Sequence, residues 1–226
     1  KNLRVHTSAG GGKVCHCIFI EDEANFFTIE DILITASDSD GIHVEGLTTL
    51  AGVIEGCRIL GADGHAINIS PDAGVVFQLH HIHHNIIMSV GGNGINLGQC
   101  IGHQEYIIDE NYISGITGHG IDYGIATGGA AVVEKNTISN NFITGNAGNG
   151  IRLLSDSENN FIENNFIRDN ALYGINIGGA TCVSNRLKNN KLVDNISGQV
   201  LDLGTDTQVP TIFVPVPNPS TNIGEH

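Results

Sequence analysis

Isoleucine recurs along this chain in three registered columns. The first holds Ile29, Ile54, Ile82, Ile108, Ile138 and Ile162. Five residues after each stands Ile34, Ile59, Ile87, Ile113, Ile143 or Ile167, and eight further on Ile42, Ile67, Ile95, Ile121, Ile151 or Ile175. A seventh set carries Leu187, Leu192 and Val200, and a less regular one precedes the others near Ile18 and Ile20. Successive sets are 25, 28, 26, 30, 24 and 25 residues apart. No segment keeps a 3.6-residue apolar period, so helices are not expected. A repeat this short cannot bury its own apolar side chains, and stacked repeats share one continuous core.

The pattern predicts a right-handed parallel β-helix, a single-stranded solenoid of about eight coils over residues 14–208. Parallel strands ~4.8 Å apart would make eight coils a rod roughly 40 Å long. Residues 1–13 read as a polar, Gly-rich arm. Four of the five prolines fall in the last 17 residues. Proline cannot donate to a strand ladder, so 209–226 reads as an extended tail or linker.

Asparagine makes a second ladder. Asn85, Asn111, Asn141, Asn165 and Asn190 each stand two residues before the second isoleucine column, three of them behind another Asn. Asn tolerates left-handed backbone and bonds neighbouring backbone groups. The strings Asn140-Asn141-Phe142-Ile143 and Asn164-Asn165-Phe166-Ile167 resemble the parallel β-helix repeat proteins of the pectate-lyase-like superfold. The resemblance covers roughly residues 14–204 and implies the fold. Lyases, polygalacturonases, epimerases, tailspikes and surface proteins share that superfold, so it does not choose an activity.

Strand alternation tells which residues face outward. Before the second isoleucine column stand Leu33, Arg58, Ile86, Tyr112, Phe142, Phe166 and Lys191. Ile86, Tyr112, Phe142 and Phe166 therefore make an apolar outward stripe, which Ile107 and Phe161 widen. Such a stripe marks a contact surface. Its readings are a subunit interface, cover by the tail, or stacking on sugar rings.

After the first column come Glu30, Glu55, His83, Asp109, Ser139, Glu163 and Lys188. Glu55, His83 and Asp109 would occupy adjacent rungs, with the carboxylates about 9.6 Å apart, two rungs of ~4.8 Å. That is near the upper limit for an inverting glycosidase pair. The same group could hold a divalent metal, or be a solvated polar face. His80-His81-Ile82-His83-His84 puts His81 and His83 on that face beside the core Ile82. His65, Asn93, His119 and Asn149, with Asp122 nearby, read as turn residues.

Charge narrows the partners. The net charge of −14 disfavours nucleic acid and anionic lipid. No apolar run is long enough to span a membrane, and no secretory signal is visible. The first residue, Lys1, suggests a processed chain or a fragment. Five cysteines show no zinc spacing, and neither a metal nor a cofactor is expected. No Lys or Arg occurs between Arg58 and Lys135, while seven of the eleven histidines lie there. A polyuronate lyase needs cations to neutralise its substrate. The expectation is thus a non-catalytic extracellular or virion-surface rod, tailspike- or adhesin-like, that binds glycans or self-assembles, a homotrimer being one form. The alternative is a polysaccharide hydrolase or lyase using Glu55, His83 and Asp109.

Overall fold

The computed structural model describes residues 3–5, 16–21, 26–46, 51–71, 77–98, 103–123, 133–154, 156–209 and 212–213. These form parallel strands and turns, with no helix among them. Each coil contributes one strand to each of three sheets, named here first, second and third in the order a coil visits them. Seven rungs have a strand in all three, which makes six full turns from first to last. The expected count of about eight had included the incomplete rung at Ile18–Ile20, which pairs with Ile42–Val44 in the third sheet.

The isoleucine columns pair as their spacing predicts. In the first sheet Ile54 faces Ile82, Ile82 faces Ile108, and Ile108 faces Ile138. All three columns point inward and are buried from Ile29 to Leu192, with Val200 packed half-buried against their end. Each β-branched side chain so buried is worth about 1.5–3 kcal/mol against exposure.

Asparagine solves the corners, where the chain turns between strands and ladder bonds fail. Asn111 receives the Asn85 N–H at 3.0 Å on Oδ1 and donates Nδ2 to the Ile82 carbonyl at 2.9 Å. The same geometry repeats through Asn141, Asn165 and Asn190. Two shorter ladders, Asn136–Asn160–Asn185 and Asn146–Asn170–Asn195, line other corners. Buried backbone polar groups that would be orphaned are thereby satisfied. The residue before the main ladder has φ near 55° at His84, Glu110, Asn140, Asn164 and Asn189.

The glycine before the third-column isoleucine, present in five coils and replaced by Ala66 in a sixth, serves close approach rather than a sharp turn. A Cβ on Gly150 would lie 2.3 Å from Ile167 Cγ2 and 2.6 Å from the Gly174 carbonyl oxygen. At the ends, Leu3–Val5 pairs antiparallel with Ile18–Ile20, and Ile212–Phe213 adds a strand beside Lys191–Leu192. Most of the expected arm and tail lies outside the described residues. Cys57 and Cys182 are buried free thiols, pushed above the usual thiol range by burial. Cys15 and Cys100 lie outside the described residues.

Candidate functional site

Outward side chains stack in rows along each sheet, and Ile107 and Phe161 fall in a first-sheet row with His81 and Thr137. The first sheet stacks Glu30, Glu55, His83, Asp109, Ser139, Glu163 and Lys188 in register. Glu55, His83 and Asp109 therefore occupy adjacent rungs of one outward face, linked through the paired His81 and His83 rings. Glu55 Oε2 lies 3.3 Å from His83 Nε2. Asp109 instead pairs with His81, Oδ1 to Nε2 at 2.7 Å. The His81 and His83 rings stack with centroids 3.9 Å apart. Both carboxylates are thus engaged by imidazoles. Burial first, then the neighbouring His81 and His84, pushes His83 below the ordinary imidazole range, while Glu55 and Asp109 act the other way.

The second sheet stacks Arg58, Ile86, Tyr112, Phe142, Phe166 and Lys191 in one outward row. Tyr112 and Phe142 lie parallel within 8°, with centroids 5.3 Å apart. Phe166 continues the stack at 5.1 Å, and Lys191 Nζ sits 4.9 Å over its ring. Ile86 and Phe166 are half-buried, while Tyr112 and Phe142 are exposed. The stripe is real, and its rings cover part of one another.

The third sheet carries the densest polar chemistry. Its outward row is Phe19, His43, Asn68, Asn96, Asp122, Arg152 and Asn176. Outward by strand alternation, His43, Asn68 and Asp122 are nevertheless buried. Hydrogen bonds link the row. Asn68 donates to Asp40 Oδ2 at 2.9 Å, Asn96 to Asn68 Oδ1 at 2.9 Å, and Asn93 to Asp122 Oδ2 at 2.8 Å. Arg152 grips Asp122 through Nε and Nη2, both at 2.7 Å. This two-pronged geometry is the strong form of the pair.

Beside the row runs a turn ladder. His65 N–H donates to Asp40 Oδ1, Asn93 N–H to His65 Nδ1, His119 N–H to Asn93 Oδ1, and Asn149 N–H to His119 Nδ1. An Nδ1 that accepts places the proton of a neutral ring on Nε2. Burial, the leading cause, pushes both His65 and His119 below the ordinary imidazole range. These residues hold turns, as their place before the glycines suggests.

At the N-terminal end of this face His16, Asp40 and His43 converge, their ligand atoms all within 4.8 Å of one another. Asp40 Oδ2 lies 2.6 Å from His43 Nδ1 and 3.4 Å from His16 Nδ1. His43 Nε2 meets Glu45 Oε2 at 3.1 Å, and Phe19 walls the two rings. Burial raises the Asp40 carboxyl, but hydrogen bonds from His43, Asn68 and the His65 amide outweigh it and hold it at about 2. Burial likewise opposes charge on His43, yet Asp40 and then Glu45 raise it above the ordinary value. Two imidazoles around a permanently ionised carboxylate suit copper or zinc.

Sequence reasoning did not single out Asp40, His43 or Arg152, and read Asp122 as a turn neighbour. A signal was present: the position after each third-column isoleucine is polar in every coil from His43 to Asn176.

A family model described as periplasmic copper-binding protein (NosD) matches residues 28–210. Asp40 and His43 fall inside that span and His16 before it. Among solved structures, the A-module of mannuronan C-5 epimerase AlgE6 from Azotobacter vinelandii is similar at a TM-score of 0.55 and 16% identity. The likeness covers 88% of this chain and 64% of that module, so the chain spans less than two thirds of it. It is a likeness of fold. No curated protein matches the chain.

Proposed function

We propose a function from one premise: the chain belongs to the NosD family, whose description is periplasmic copper-binding protein. The reading is an extracytoplasmic β-helical rod that binds a copper ion. The family points to the periplasm and lends no support to a virion surface.

The observation that carries the reading is the convergence of His16, Asp40 and His43. The donor set fits the ion, since imidazole and carboxylate are ordinary copper ligands. Glu45 on the far nitrogen of His43, and Asn68 and the His65 amide on Asp40, are the outer partners that orient ligands. Copper would supply positive charge and redox capacity there. The residues' own part is to hold three donors together, His43 on a strand and His16 and Asp40 in the segments just before strands, and to limit water around them.

Calorimetric titration of the purified chain with Cu(II), against a chelator of known affinity, tests this. Replacing both His16 and His43 by Ala should abolish one equivalent, and Asp40→Asn should weaken it at least tenfold. Unchanged stoichiometry and affinity in both variants would overturn the reading.

A second reading is saccharide binding along the third-sheet face. The unbroken row of amide and charged groups from His43 to Asn176 favours it, because such groups pair with sugar hydroxyls. A glycan array tests it, with Asp122→Asn and Arg152→Gln expected to remove any signal. Signal kept in both variants would place the sugar elsewhere.

A further inference from the structure

We propose that His83 and His84 form a second metal site, on the first-sheet face, for a divalent late first-row ion. It goes beyond the copper reading above and uses none of its residues.

His83 Nδ1 and His84 Nδ1 face each other at 2.6 Å. The opposite nitrogen of each ring is held by a carboxylate. His83 Nε2 meets Glu55 Oε2 at 3.3 Å, and His84 Nε2 meets Glu110 Oε2. Two imidazoles turned inward on each other, each braced from behind by a carboxylate, form the carboxylate–histidine–metal arrangement on both sides of one point. Nitrogens bound to one ion at about 2.0–2.1 Å lie about 2.9 Å apart at a right angle and about 3.3 Å apart in a tetrahedron. Seating an ion therefore requires the rings to open by about 0.3–0.8 Å.

Two further observations support the site. The backbone at His84 is left-handed, φ 55°, at a corner that later coils fill with Asn140, Asn164 and Asn189. Asn is the ordinary residue there. A histidine at that corner brings its ring round to face the last residue of the preceding strand. The following rung puts Glu110 at the same corner, also left-handed, and so supplies the brace. Charge points the same way, since no Lys or Arg occurs from residue 59 to 134. His84, Glu110 and Glu55 are open to solvent, which leaves coordination positions for water.

Glu55 and Glu110 are positioning residues, and His83 and His84 the ligands. Asp109 belongs to neither set, being engaged by His81.

The experiment is a titration of the full chain with Cu(II), and separately with Zn(II), followed by calorimetry and by imidazole nitrogen NMR. Wild type should bind an equivalent that shifts the Nδ1 resonances of His83 and His84. Replacing both by Ala should remove that equivalent while the chain keeps a cooperative thermal transition, since His84 is exposed, His83 half-buried, and neither belongs to the isoleucine core. Glu55→Gln or Glu110→Gln should weaken it about 10–100-fold without removing it. Loss of the only equivalent on replacing His16 and His43 would overturn this site and leave the copper reading standing. Loss of the only equivalent on replacing His83 and His84 would do the reverse. Coordination through Nε2, or binding unchanged by the double replacement, would overturn the proposal directly.

Discussion

Asn141 and Asn165 occupy one corner of successive coils, and Asn165 Oδ1 accepts both the backbone N–H of Asn141, at 2.9 Å, and its side-chain Nδ2, at 3.0 Å. Asn165 in turn donates Nδ2 to the Ile138 carbonyl and to Asn190 Oδ1. One side chain therefore closes four hydrogen bonds in a buried place. Truncation leaves buried donors and a carbonyl orphaned at about 1–3 kcal/mol each, partly relieved by water. Asn165→Ala should lower the unfolding free energy by about 3 kcal/mol in urea titration. Asn140→Ala, at the exposed corner beside it, should cost less than half as much.

His80 gives the chain an acid-sensitive interior. The ring is 1% exposed, tilted against Tyr106 at 5.3 Å and Phe27 at 5.8 Å, and neither nitrogen has a hydrogen-bond partner among the described residues. Burial alone lowers it from 6.5 to about 4. The unfolded chain takes up this proton first as pH falls. Stability attributable to His80 should be constant above pH 6.5, fall between 6.5 and 4, and level off below. At about 1.36 kcal/mol per unit the loss is about 3 kcal/mol. His80→Phe should remove that part of the slope, and a slope unchanged in the variant would show that other groups produce it.

Gly150→Ala tests the close approach of successive coils. Its Cβ would meet backbone oxygen on one side and a buried isoleucine methyl on the other. Overpacking of this kind costs about 1–3 kcal/mol, and the thermal midpoint should drop accordingly. Gly145→Ala has open space around its Cβ but φ 65°, so it should show the smaller cost of backbone strain alone.

The aromatic row should contribute stability within one molecule. Phe142 has a ring neighbour above and below, and stacking adds about 0.5–1.5 kcal/mol per pair. Phe142→Ala is expected to cost about 1–3 kcal/mol in denaturant titration. Phe26, 82% exposed, should be replaceable by Ala within about 0.5 kcal/mol.

Ile138→Asp and Ile143→Asp each place an unpaired charge in the continuous core. Neither variant should show a cooperative transition by circular dichroism. A native-like transition in either would contradict the inward register.

The three isoleucine columns were legible because each coil repeats the same inward choice, and repetition turns a weak local preference into a pattern. The outward order of Glu55, His83 and Asp109 was legible for the same reason. Their partners were not. Asp109 pairs with His81, two positions back on the neighbouring strand, and that diagonal depends on side-chain rotamers. The interior place of His80 follows from alternation with Ile82. Asp40 escaped notice because it lies three residues before His43 in a turn. Its importance comes from His16 and Asn68, which approach from the neighbouring coils.

Because every corner amide bonds its counterpart 24 to 30 residues away, a coil behaves as an interchangeable tile. Excising the 24 residues 138–161 would join Thr137 to Ile162 and bring Asn165 under Asn111, with no corner left unmatched. Such a chain would be one rung shorter, about 4.8 Å. Length in this molecule is thus a heritable quantity that duplication or loss of one tile can adjust. The face at either end, and any ligand held there, would be carried along unchanged.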